Sequence, residues 1–161
     1  MFFGKPLTIS FKPTLNGLPI EWVKEWKYLG VVMKSGHRFS CSVSDRVKSF
    51  YRSLNSILRV EGRSDDMVLL WLLEAHRLPL ITYAIEISYI ADRDEKRSLR
   101  VAYNSIFRKL FGYRYFESVS NLQHFLGRPT WEELVARRQN NFLHKASVTD
   151  DNSLLKLLCQ L

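Results

Sequence analysis

Four histidines, two cysteines and sixteen acidic residues are what this 161-residue chain has for acid–base, nucleophilic or metal chemistry. Their spacing assembles none of these. His37 and Cys41 lie four apart, the right step for two ligands, but no second pair completes a tetrahedral zinc site. His76, His124 and His144 are single residues in segments of helical periodicity. The acid pairs Asp65-Asp66, Glu132-Glu133 and Asp150-Asp151 each fall where a helix should begin. Capping and the helix dipole account for acids there without a metal. No glycine-rich phosphate loop, dinucleotide fingerprint or strand-nested serine is present. No catalytic residue, metal ligand or bound cofactor is therefore expected.

What the chain does have is positive charge. Lys plus Arg number 24 against 16 Asp plus Glu, a net +8, with a pI near 9.7. Such a balance favours a polyanionic partner such as nucleic acid or an acidic membrane surface. The excess is concentrated in two windows, 34–63 and 93–114, each with a net +5. In the second, Arg93, Arg97, Arg100, Asn104 and Arg108 recur at steps of 4, 3, 4 and 4, opposite an apolar stripe of Leu99, Tyr103, Ile106 and Leu110. In the first, Arg46, Lys48, Arg52, Asn55 and Arg59 flank Val43, Val47, Phe50, Leu54, Ile57 and Leu58. Tyr51 is interleaved among those cations, where it either stacks along a nucleic-acid backbone or borders the core with its hydroxyl in water. Each basic stripe is either a solvated helix face or a row of phosphate contacts.

These stripes need elements to carry them. Hydrophobic residues at 46% and charged residues at 25% are ordinary globular values. A mainly α fold is predicted, a helical bundle preceded by a small N-terminal antiparallel β-meander. Leu7–Phe11 alternates with period two, Asn16-Gly17 marks a hairpin turn with Pro19–Val23 returning, and Tyr28–Met33 reads as one further strand. Helical periodicity starts at Cys41, with Ser42 or Ser44 as N-cap. Asp65-Asp66 caps a second helix running to about Arg77, where Pro79 restarts or kinks it. Asp92 or Asp94 begins a third long helix ending at Gly112, and Glu117–Leu126 forms a shorter one closed by Gly127. Thr130-Trp131-Glu132-Glu133 is a capping box for a helix to about Lys145, and Asp150–Leu161 is a last short helix. The longest apolar region, Met67–Ile90, is broken by Glu74, His76, Arg77, Pro79 and Glu86, which argues against a membrane span. Two cysteines, Cys41 and Cys159, cannot build a disulfide framework, and Met1–Pro6 has no signal-peptide pattern. An intracellular protein, nuclear or cytoplasmic and not secreted, is expected.

One string goes further. Trp22-Val23-Lys24-Glu25-Trp26-Lys27-Tyr28-Leu29-Gly30-Val31 resembles a segment of reverse transcriptases from LINE-type (non-LTR) retrotransposons. In that family it follows the catalytic palm and forms the primer-grip hairpin. Met1-Phe2-Phe3-Gly4-Lys5 is similar to the stretch just before it, and Phe50–Ile57 to the first thumb helix. Leu78–Glu86 is similar to the next thumb segment, with Ala84 where many relatives have Gly. Tyr103–Gly112 resembles the helix beyond it and Leu126–Leu134 the following connector. The motifs stand in the family's order over roughly residues 1 to 145.

The resemblance implies three parts: the end of the palm with the primer-grip hairpin at 1–40, a thumb bundle at 41–115, and a helical connector at 116–161. It implies that Lys27, Tyr28, Leu29 and Gly30 lie at the primer end, while the two basic helices hold the duplex backbone. The family's polymerase chemistry uses palm aspartates that hold two divalent metal ions. Asp45 is the first aspartate of this chain, so that palm strand is missing. A non-catalytic fragment is therefore expected. Its partners would be an RNA–DNA hybrid or duplex and the missing fingers–palm portion, and any Mg²⁺ would belong to that palm. The alternative is a host-adopted basic helical module that binds nucleic acid or a protein.

Overall fold

The structure, a computed structural model, describes residues 13–37, 39–60, 65–88 and 93–148. Two small antiparallel sheets precede a helical bundle, in agreement with the mainly α expectation. The strand expected at Leu7–Phe11 and the helix expected at Asp150–Leu161 lie outside the described residues.

Strands β1 (Thr14–Leu15) and β2 (Leu18–Pro19) pair across Asn16-Gly17, whose φ angles of 51° and 79° suit a two-residue hairpin turn. Pairing stops sooner than Val23. Pro13 and Pro19 have no N–H to give, and a bond from Ile20 N–H to the Pro13 carbonyl closes the ribbon. The second sheet corrects the single strand expected over Tyr28–Met33. Strands β3 (Glu25–Tyr28) and β4 (Val31–Lys34) fold back on each other at Leu29-Gly30, and β5 (Ser40–Ser42) pairs with the far side of β4. Leu29 and Gly30 have φ angles of 45° and 79°. The periodicity misses this turn because Leu rarely adopts that conformation, which costs an L-residue with a Cβ about 1–2 kcal/mol.

Helix α1 spans Ser44–Val60, so Cys41 belongs to β5 rather than to the helix. Neither expected serine makes the cap. Ser42 and Ser44 hydrogen-bond each other, and the Val43 carbonyl accepts the first helical bond, from Val47. The Val43 N–H is instead satisfied by Glu95 at 3.1 Å. Helix α2 (Asp66–His76) is capped as expected, Asp65 accepting the Met67 N–H at 2.7 Å. The chain then breaks at Arg77 and at Tyr83-Ala84, giving the short helices α3 (Leu78–Thr82) and α4 (Ile85–Ser88). Among the described residues, no helix is long and apolar enough to cross a membrane. Helix α5 (Arg93–Leu110) ends before Gly112, α6 covers Ser120–Phe125, and α7 runs Trp131–Val148.

The core runs through the whole bundle. Phe50 and Leu54 of α1, Leu70 and Leu73 of α2, and Ile81 and Ile85 pack with Leu99, Ala102, Ile106 and Phe107 of α5. Trp131, Leu134 and Val135 of α7 join the same cluster. Helix α5 is its axis, packing against α1, α2, α3 and α7.

The capping box forms: Thr130 N–H donates to the Glu133 carboxylate at 2.7 Å, and Glu133 N–H to the Thr130 hydroxyl at 3.4 Å. The Thr130 backbone bond, helped by the threonine hydroxyl, holds the Glu133 carboxyl below its ordinary value. A lowered folded-state value contributes stability above the unfolded carboxyl's pKa, and that contribution is lost as pH falls through the folded one. The stability advantage of the parent over Glu133→Gln should therefore shrink as pH drops below about 4. Urea midpoints of both proteins between pH 7 and pH 3 would check this.

Candidate nucleic-acid interface

The stripe on α5 divides into two halves. Arg93, Arg97 and Arg100 are exposed and, with Lys96 and Glu132, line a surface depression of about 330 Å³. Arg100 reaches Glu132 at 3.6 Å, with both side chains more than half exposed, so that pair is weak. Asn104 and Arg108 are used inside the molecule. Asn104 accepts a hydrogen bond from the buried Gln123 at 3.1 Å. Arg108 donates twice to the Glu117 carbonyl, at 3.1 and 3.0 Å. These two side chains hold the segment after α5, and Arg93, Arg97 and Arg100 remain turned to solvent.

Helix stability does not explain a cation at Arg93, the first residue of α5. A helix N-terminus carries partial positive charge, so cations there are disfavoured and anions attracted. Of the two first-turn acids, Asp94 is exposed beside Arg93, whereas Glu95 is drawn away. It accepts the Val43 N–H and pairs with Lys34 at 3.6 Å, at 16% side-chain exposure. Glu95 thus ties β4 and α1 to α5, a role that its position in a first turn does not disclose.

On α1, Lys48, Arg52, Asn55 and Arg59 are exposed along one arc of the helix. Tyr51 is half-buried, and Lys109 of α5 lies 5.8 Å over its ring and donates to Asn55. The ring therefore borders the core instead of offering a free face. The contacts Val43–Glu95 and Asn55–Lys109 show that α1 and α5 run side by side in the same direction. The α1 cations lie on its edge toward α5. Arg100 lies on the edge of α5 toward α7. The exposed Ser98 and Val101 form an uncharged stretch of ridge between the two groups, with the exposed Asp94 at its N-terminal end.

Arg46 is separated from this arc, because about 200° of helix rotation divides it from Lys48. It turns inward and donates to the Tyr83 carbonyl, while its Nε and Nη2 are buried without a partner. Burial draws the guanidinium below its ordinary pKa, partly offset by Cys41, Glu95 and Tyr83.

Tyr83 also fixes the hairpin. Its hydroxyl donates to the Leu29 carbonyl at 2.7 Å, and a Cβ on Gly30 would stand 3.5 Å from its ring. Lys27, Tyr28 and Leu29 are exposed around this turn. Lys27, Gly30 and Arg46 line one depression together with Ser42, Asp45 and Ser49. Of the α1 cations, only Arg46 meets the hairpin here, and the exposed stripe lies apart from it. Tyr83 itself is missed by charge and period alone, because nothing local marks its contact with a turn 54 residues earlier.

The neighbouring Ala84 has a φ of 49°. Glycine adopts that conformation without the Cβ clash. Ala84→Gly should therefore stabilise the fold by about 1 kcal/mol, read from the urea midpoint at unchanged m-value. A destabilised variant would contradict the left-handed turn.

Among the described residues, no group of three or more His, Cys, Asp or Glu lies together. The chain matches no protein-family model, no curated protein and no solved structure.

Proposed function

We propose that this chain is the thumb-like, duplex-gripping part of a LINE-type reverse transcriptase, and that it holds an RNA–DNA hybrid by its phosphates without polymerase chemistry of its own. One observation carries the duplex grip: three exposed arginines on one face of the N-terminal half of α5, flanked across the Ser98–Val101 ridge by the exposed cations of α1. Phosphates supply charge to such a surface but no base sequence to read. The retrotransposon assignment rests on the order of the motifs. It is supported by the Leu29-Gly30 turn, where the hairpin string falls, and by the left-handed Ala84, where many relatives have Gly. Leu15, Leu18, Ile20, Trp22 and Trp26 are each exposed, and in this reading they are covered by the fingers–palm portion.

Two RNA–DNA hybrids of equal length and unrelated sequence should bind with affinities within about threefold, as a backbone grip requires. Primer extension by the chain alone with Mg²⁺ should give no product. A strong preference for one sequence would replace the grip with base readout, and extension would overturn the non-catalytic part of the proposal.

A further inference from the structure

Beyond α5 the chain makes a short turn with an unusual surface. Glu117 N–H donates to the Arg114 carbonyl at 3.1 Å, which places Tyr115 and Phe116 at the two corners. Their side chains are 86% and 65% exposed, although together they are two of the largest apolar groups in the protein. The rings meet edge to face, 5.3 Å between centroids. The turn is held firmly. Arg108 donates twice to the Glu117 carbonyl, and the Glu117 carboxylate accepts the Arg114 N–H at 2.6 Å. That last bond turns the turn's own acid back on its backbone. Arg114 is exposed within the turn.

We infer that Tyr115 and Phe116 form a stacking platform for the bases of unpaired nucleic acid. Ring faces offered to water, on a backbone already ordered, present little entropic cost to a base that stacks on them. The exposed Arg114 and the inward-turned Glu117 favour a polyanion over an apolar protein surface. Tyr51, the aromatic interleaved in the basic stripe of α1, has its ring under Lys109 and is not available for this. The platform rests on the nucleic-acid reading above and goes beyond the duplex grip, since it takes unpaired bases.

Three ligands separate the two ideas: a blunt RNA–DNA hybrid, the same hybrid with a single-stranded extension, and that extension made of abasic sugars. The intact protein should favour the base-bearing extension by about 10- to 100-fold over the other two. Tyr115→Ala with Phe116→Ala should abolish that preference and leave the blunt hybrid's affinity and the thermal midpoint unchanged. Tyr115→Trp with Phe116→Trp should keep it. Quenching of a 2-aminopurine placed in a free single strand reads the platform even where hybrid binding fails. Equal binding of base-bearing and abasic extensions, or a preference that survives the alanine pair, would overturn the inference. So would a double variant whose only change is loss of self-association by sedimentation, since the turn would then dock protein.

Discussion

Arg97→Glu combined with Arg100→Glu lowers affinity for an RNA–DNA hybrid by about 100-fold at 0.1 M salt. Each phosphate contact contributes close to tenfold at that ionic strength through counterion release, and the pair removes two contacts. Stability should barely move. Arg97 is exposed, and the Arg100–Glu132 pair is long and open to water. Arg137→Glu with Arg138→Glu is the control, because it changes net charge equally on α7, where Arg138 faces Glu86 at 3.7 Å. If the control pair weakens binding as much, the effect is one of overall charge and no interface on α5 is needed.

Trp131→Ala should cost about 3–5 kcal/mol, a large part of the roughly 5–15 kcal/mol that holds a domain together. Trp131 is 1% exposed and packs on Tyr103 with 5.5 Å between ring centroids. Tyr103 in turn donates to the Pro129 carbonyl at 2.7 Å and touches Phe107 edge-on. Burial raises the Tyr103 phenol well above its usual pKa, so it stays a hydrogen-bond donor. Because α7 shares one core with α1 and α5, the variant should unfold in a single transition at a lower urea midpoint. A variant that melts in two steps, with the α1–α5 signal unshifted, would show that α7 is an appendage.

Local patterns carried much of the architecture. The apolar stripe of α1, the Asn16-Gly17 turn, the Asp65 cap and the Thr130–Glu133 box each depend on residues within one or two turns of each other. Missed features depend on distant partners or on unfavourable backbone. Leu29 gives no turn signal, yet the ladder and the Tyr83 hydroxyl hold it at positive φ. Val43 stands at the start of α1 in place of two better capping residues, and its N–H reaches Glu95, 52 positions later. The candidate interface was legible in part. Spacing placed Arg93, Arg97 and Arg100 on an open face. It did not show that Asn104 and Arg108 on the same stripe are consumed by Gln123 and Glu117. Arg46 is different, since 100° steps alone already set it apart from Lys48 and Arg52.

The proposed grip on the duplex is made to phosphates by the exposed cations of α5 and α1. It is tested most directly by hybrid affinity against salt, measured for the parent and for Arg97→Glu with Arg100→Glu. If α5 contributes three contacts and α1 two or three, log Kobs should fall against log salt with a slope of about −5, shallower by about 2 in the variant. A flat response in the parent, or equal slopes in the two proteins, would mean that these arginines do not hold phosphates.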